Sequence, residues 1–475
     1  MGSLQARDRM TLRAIVAAIP VAAAIALCGP LPTATAAQRG ARLDPAYGHG
    51  GLATTAFGVA GEEAKVELTA LPGGAALVVD GLEGTAVRFG AAGSQDRRFG
   101  KSGRLLAARG SGLGGPGKRF SPSSITADRK GRVLVFGGQA DSSKTAQGPE
   151  RIIVPATLAA VLRFTADGRP DPSFGGGKGY VVGDFGMPAR EGTDLSSATA
   201  LTGRVDARNR PLFVVGTAAL ISSCLGHGGS GSIPRALVRL TESGRPDTTF
   251  GAGDGISPLE GVGSFPFLGI DVADQPAVGV QSFAAGPCDV GTRVYRFGAE
   301  GEPLAAFGPG GAREFGSAQL GLVEPSGALI LDERVGRTLK LVEVDPEGNP
   351  DPSFGEAGVA KVHLPATVGF HLSPAAVDAK GRILLAGFVG SPISAPEKGQ
   401  PRSSFVVARL HPDGKTDRSF GWNGWIFSRL PGRRELISSQ ATLDPKGRLL
   451  VGGIVTKPHH HLDGAFVVAR YLLGS

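Results

Sequence analysis

The chain has 475 residues but only three cysteines, three methionines, two tryptophans and four tyrosines. So few cysteines exclude a disulfide-dense scaffold. So few tryptophans and tyrosines leave little from which to build an aromatic sugar platform. No run of five or more lysines or arginines occurs, so the phosphate-neutralising patch that nucleic-acid binding requires is missing. Beyond the first 40 residues no apolar segment is long enough to span a bilayer. Gly-x-Ser-x-Gly, His-Glu-x-x-His and Gly-x-x-x-x-Gly-Lys-Ser/Thr are absent, which removes the commonest local signatures of a hydrolase elbow, a zinc protease and a phosphate loop. Long helices are excluded by abundance rather than absence: 75 glycines and 34 prolines suit hairpins and tight turns.

The start of the chain has the layout of a cleaved secretory signal. Arg7, Arg9 and Arg13 precede an almost wholly apolar stretch, Ala14–Cys28, and the small residues Ala34-Thr35-Ala36-Ala37 follow. Residues 1–37 are therefore expected to leave, and the mature protein to be secreted. Lipid anchoring through Cys28 at the cell surface is the minor alternative, disfavoured by the bulky Leu27 before it. Cleavage lowers the net charge from +8 to +6, a mild excess, and leaves two cysteines, Cys224 and Cys288.

What remains is repetitive. A short Asp-x-x-Phe-Gly phrase begins at Asp44 (with Tyr47 for Phe), Asp96, Asp171, Asp247, Leu304 (Asp lost, Phe307 kept), Asp351 and Asp417. Successive copies lie 47 to 76 residues apart, so the unit is a module with loops of variable length. Around Asp417 one module reads as four short β-type runs: Ala375–Asp378, Arg382–Gly387, Phe405–Leu410 and Trp425–Arg429. Turns such as Asp378-Ala379-Lys380-Gly381 and His411-Pro412-Asp413-Gly414 divide them, which describes a four-stranded antiparallel sheet. A glycine lies three residues before six of the seven repeat starts: Gly93, Gly168, Gly244, Gly301, Gly348 and Gly414. The repeated Phe is expected to pack between adjacent sheets.

The chain opens with an orphan fourth-type run, Leu52–Phe57, and ends on a third-type run, Phe466–Tyr471. The first run therefore completes the last sheet. The expected fold is all-β, a seven-bladed β-propeller of four-stranded antiparallel blades over 43–475, its ring closed by the N-terminal strand.

Gly168–Gly175 and Gly348–Gly355 both read Gly-x-x-Asp-Pro-Ser-Phe-Gly, and Val377–Gly387 and Phe405–Leu410 carry the strand phrases. On these motifs residues 43–475 resemble the delta-60 repeat family. The resemblance implies an exported bacterial propeller-like repeat protein and brings no catalytic assignment. By analogy with NHL-type propellers, the run before each turn would lie third from the axis and the run after Phe-Gly outermost. Leu304, Tyr47 and the loose module around Asp271–Phe297 depart from the pattern.

An arginine stands eight residues before the repeat start in five modules, Arg88, Arg163, Arg239, Arg296 and Arg409; Arg470 holds the equivalent place in the last third-type run, and Glu343 in the remaining module. The spacing suggests ion pairs Arg163–Asp171, Arg239–Asp247, Arg409–Asp417 and, across the seam, Arg470–Asp44. Solvated arginines on outer strands are the other reading, and both stand at this level. Cys224 and Cys288 fall in matching loops of consecutive modules, so a structural disulfide is expected, with two separate thiols as the alternative. His459-His460-His461 and His227 lack the spaced partners of a zinc site and are expected to be solvated. Trp422 and Trp425 are expected to pack rather than to stack on sugar. Glycine pairs such as Gly114-Gly115 and Gly228-Gly229 precede no helix that would make them anion cradles.

The expected function is binding of another protein or an extracellular polymer. Long loops on one face, roughly 139–158, 217–235, 389–402 and 457–465, would supply the surface, on a monomer with no cofactor, no metal and no nucleic-acid partner. The alternatives are a secreted hydrolase, lyase or lactonase with an axial site, and a structural protein of the cell envelope.

Overall fold

The computed structural model describes residues 41–58, 66–80, 84–107, 113, 118–147, 153–189, 197–217, 235–259, 264–283, 290–364, 370–389, 403–431, 435–457 and 460–474. The expected signal, residues 1–37, lies outside them. The chain forms seven antiparallel blades. Blades 1 to 7 begin with the innermost strands Val66–Ala70, Lys118–Ala127, Ala198–Val205, Ser264–Ile270, Gln319–Val323, Phe370–Val377 and Glu435–Leu443. Each innermost strand touches the next, and Glu435–Leu443 touches Val66–Ala70. The seven therefore circle an axis, and each blade runs outward from it in chain order. The arginine-bearing strand is third from the axis and the strand after Phe-Gly outermost, as the sequence suggests.

Closure occurs where the repeat count places it. Leu52–Gly58 pairs with the last strand, His460–Leu472, in the register Leu52↔Ala469 to Thr55↔Phe466. A two-residue stub, Arg42–Leu43, pairs with the same edge ahead of it. Strands in a propeller are covered on both faces, and the apolar residues accordingly form seven layers, one between each pair of neighbouring blades. This is why Phe405–Leu410 reads as an unbroken run, including its arginine, and why all of it is buried.

The four ion pairs suggested by spacing are formed. Nε of Arg163 donates to Asp171 at 2.7 Å, and those of Arg239, Arg409 and Arg470 donate to Asp247, Asp417 and Asp44 at 2.8 Å. The solvated alternative is corrected: these guanidiniums are buried. They are buried because each also binds the neighbouring blade. The Nη1 groups of Arg88, Arg163, Arg239, Arg409 and Arg470 donate to the carbonyls of Ala166, Glu242, Ala299, Leu473 and Ala91. Beneath each lies the repeat's aromatic ring, at 4.5 Å for Arg163 over Phe174 and 4.3 Å for Arg470 over Tyr47. That ring in turn sits under the next blade's turn glycine. A Cβ on Gly244 would stand 2.8 Å from Phe174, and Gly244 has φ +87°, so both space and backbone require glycine there. The repeated phrase is thus a rivet between blades.

Two seams depart from it. In blade 4, Arg296 turns to Asp271 at 3.0 Å, since Leu304 offers it no carboxylate. Arg313 takes over the rivet: it lies over Phe307 and donates to the Gly348 carbonyl of blade 5. At the seam of blades 5 and 6, Glu343 occupies the arginine's place. The contacts kept there are Gly355 N–H to the Asp413 carbonyl, 2.7 Å, and Phe354 under Gly414.

Burial, with the charges of Glu324 and Asp351, pushes the Glu343 carboxyl up to about 7 from an ordinary 4.5. The folded state therefore holds this proton more tightly than the unfolded state does. Its contribution makes stability fall as pH rises from about 4.5 through 7, then level off. Burial raises Asp332 to about 6, in the same direction. Glu343→Gln should flatten this slope, and Glu343→Arg, facing Asp351, should raise Tm at pH 8. After allowance for solvent screening of a half-exposed group the effect is about 1–2 kcal/mol. Thermal melts at pH 5 and pH 8 test it; identical slopes for wild type and Glu343→Gln would refute it.

Candidate functional site

An innermost strand has no neighbour on its axial edge, so its N–H groups there need partners. Side chains supply them between blades 7, 1, 2 and 3. Ser438 and Gln440 accept from the N–H groups of Val66 and Leu68 at 3.0 and 2.6 Å. Glu67 accepts from the Ile125 N–H and, at 3.3 Å, from the Ser124 hydroxyl, and Ser124 accepts from the Gly203 N–H at 3.4 Å. Glu67, Ser124 and Gln440 stand four residues before their turn positions. The equivalent residues in blades 4, 5 and 6 are Phe267, Leu320 and Pro374. The contacts between neighbouring innermost strands are therefore polar from blade 7 round to blade 3 and apolar in blades 4 to 6. Arg204, on the innermost strand of blade 3, adds a part-buried guanidinium. Burial lowers its pKa and the Glu67 carboxylate opposes that shift.

A cavity of about 270 Å³ lies on the face that carries the turns between first and second strands. Ala127, Val205, Ile270 and Val323, the last residues of four innermost strands, form its apolar floor; Asp128, Arg129, Asp206, Asp271 and Asp274 stand at the rim. The carboxylates are engaged. Asp128 accepts the N–H groups of Lys130 and Arg132, both at 2.9 Å, and Arg132 Nε at 2.6 Å. Asp206 does the same with Arg208 and Arg210, and Asp271 with Ala273, Gln275 and Arg296. Asp274 accepts the Ala207 N–H at 2.8 Å, tying the turn of blade 4 to that of blade 3. The result is a hydrogen-bonded rim around a hollow of mixed polar and apolar lining, with Val272 78% exposed beside it. Such a site can hold a compact group; its acids are scaffolding.

Cys224, Cys288, His227 and His459 lie outside the described residues, as do the loops 218–234 and 390–402. His460 and His461 belong to the last strand. The tryptophans part company: Trp425 is buried, 6.2 Å from Phe427 and 6.1 Å from Phe370, while Trp422 is exposed. Among the described residues no three His, Cys, Asp or Glu side chains are placed to hold a metal, and no helix is long and apolar enough to cross a membrane. Second strands end, and third strands begin, on the face opposite the cavity. Sequence reasoning missed Arg132, Arg210, Arg382 and Arg448, which pair with the turn aspartates four residues before them. The repeated Asp-x-Lys-Gly-Arg at Asp128, Asp378 and Asp444 was the available signal.

No protein-family model matches the chain, and no curated protein does. Solved structures that resemble it include a streptogramin B lyase, 9% identical over 88% of this chain and 97% of that one, with a TM-score of 0.40. A polysaccharide lyase is 9% identical over 91% of each chain, TM-score 0.41. A mutant NanB sialidase from Streptococcus pneumoniae is 11% identical over 88% of this chain and 70% of that one, TM-score 0.40. Likeness at this level says nothing of this chain's chemistry.

Proposed function

We propose that the protein is an exported binding module of the delta-60 repeat type, and that its axial cavity receives a compact group of an extracellular partner. The observation that carries this reading is the cavity's division of labour. Four apolar side chains form its floor, and three rim carboxylates, Asp128, Asp206 and Asp271, each already accept two backbone N–H groups and pair with an arginine. A hydrolase, lyase or lactonase would need a free acid or base at the axis, so binding suits these aspartates better. At about 270 Å³ the hollow falls just below the ~300–1,000 Å³ usual for small-molecule sites. One ring or one inserted side chain fills it. Val205→Trp, which plugs the floor, is the test. In ligand-observed NMR with a library of small fragments, wild type should show hits that the plugged and still folded variant loses. Hits unchanged by the plug, or no hits, would refute the reading.

A further inference from the structure

We infer that the outer edge of blade 1 is a docking surface for an extracellular acidic polysaccharide, whose carboxylates it grips through Arg97, Arg98 and Lys101. This surface is separate from the cavity and does not depend on it. The three residues, with Arg104, fall within the short connection between the third and fourth strands of blade 1. Tight turns hold them together. The Phe99 N–H donates to the Asp96 carbonyl at 3.2 Å, and Lys101 and Arg104 exchange backbone bonds of 2.8 and 3.2 Å. Arg97, Arg98 and Lys101 are exposed, the Arg98 side chain at 94%. Arg104 is half-buried, and its Nη2 donates to the Ala56 carbonyl at 2.6 Å, which pins the connection to the closing strand. The carboxylates beside them are already held. Asp96 accepts from Arg88 and lies 3.7 Å from Arg98. Across the seam the Gly100 N–H reaches the Asp167 carbonyl, and the Asp167 carboxylate pairs with Arg169 at 3.2 Å. Among the described residues the side chains of Arg97 and Lys101 have no partner.

Nothing in the repeat calls for these charges. The other six copies carry at most one lysine or arginine in the same stretch. In blades 2, 3, 5 and 6 the place of Arg98 belongs to Ser173, Thr249, Ser353 and Ser419. Each of those hydroxyls donates to its repeat aspartate, at 2.5 to 2.7 Å. Blade 1 forgoes that bond and puts a solvated guanidinium there instead. Where the connection has the same length, His49, Glu356 and Trp422 stand in the place of Lys101. A cluster of cations that costs the blade a native bond and serves no seam is explained by something outside the chain. Its complement is a polymer with closely spaced anions, since guanidinium and ammonium groups donate to carboxylates most strongly when both partners are charged. The one ring in the stretch, Phe99, is fully buried. No aromatic face is therefore offered there for nucleic-acid bases or sugars to stack on, and recognition runs through charge. A uronate chain, with a carboxylate on every sugar, fits that description.

Polygalacturonate is the probe and its fully methyl-esterified form the neutral control, both titrated by calorimetry at low salt. The acid should bind about tenfold or more tightly than the ester, and added salt should weaken it. The triple variant Arg97→Thr/Arg98→Ser/Lys101→Gln should lose that preference. Its Tm should equal or exceed that of wild type, because the serine can give Asp96 the hydroxyl that its sister aspartates receive. A second triple variant, Arg208→Gln/Arg245→Gln/Lys380→Gln, removes as much charge from exposed positions of blades 3 and 6 and should bind as wild type does. Equal binding of acid and ester, a preference that survives the first triple variant, or an equal loss in the second overturns the assignment to blade 1. Tighter binding of a single-stranded DNA oligonucleotide or of phosphatidylglycerol vesicles than of polygalacturonate overturns the polysaccharide as occupant. The plug-sensitive fragment hits of the cavity should survive the first triple variant, so the two readings fail separately.

Discussion

A chain shortened to begin at residue 59 is expected to lose its cooperative thermal transition and to aggregate. The truncation removes the strand Leu52–Gly58 and bares the edge of His460–Leu472, whose N–H and C=O groups would then seek another chain. It takes away Asp44 and leaves the buried Arg470 guanidinium without its carboxylate, a loss of about 3–5 kcal/mol. It also strips Tyr47, fully buried, and Ala53 from the layer between blades 7 and 1, with about 1.5–3 kcal/mol for a side chain of Tyr47's size. Together these approach the roughly 5–15 kcal/mol that keeps a domain folded. Circular dichroism melts and size-exclusion chromatography are the measurements. A synthetic peptide of residues 41–58 should restore part of the transition in trans. A truncated protein melting within a few degrees of the full chain would show that the ring does not depend on this closure.

Arg163→Ala should cost about 3–5 kcal/mol, the largest effect expected of a single substitution in a rivet. The change deletes the Asp171 pair, the bond to Glu242 in blade 3 and the contact with Phe174 at once. Asp171 would keep the Ser173 contacts and Arg132, 3.9 Å away. Burial alone would raise the Asp171 pKa, but Ser173 and then Arg163 hold it below the usual carboxylate value. A depressed folded pKa gives stability that is present above about pH 4 and lost as the pH falls through the folded value. Arg163→Ala should therefore move acid unfolding to higher pH. Arg163→Met with Asp171→Leu should recover most of the loss, because the large cost comes from stranding one charge rather than from lacking the pair. Urea unfolding of Arg163→Met, Asp171→Leu and the double variant closes the cycle. A single-variant loss under about 1 kcal/mol would mean that the rivet is solvated in solution.

Much of the architecture was legible because it repeats. Seven copies of one phrase, an orphan strand at the start and a missing strand at the end suffice to count blades and close the ring. The Arg163–Asp171 spacing was legible for the same reason: both residues belong to one hairpin, whose geometry is local. What the arginine does beyond its hairpin was not legible. Its second partner is a carbonyl 79 residues away, and a carbonyl has no signature in sequence. Arg313 escaped notice because it substitutes for a rivet from a different strand.

The amino-acid order by itself determined the number of blades, the closing strand and the spacing of the hairpin arginines and aspartates, since each depends on short-range spacing or on a pattern that recurs. Only the tertiary structure decided that the arginines are buried and that Arg313 takes over the seam where Leu304 replaces the aspartate. Those facts depend on which residues of different blades meet at a seam or at the axis. There Val205, Ile270 and Val323, remote in the chain and unremarkable in composition, become one surface because the ring brings four strand ends together.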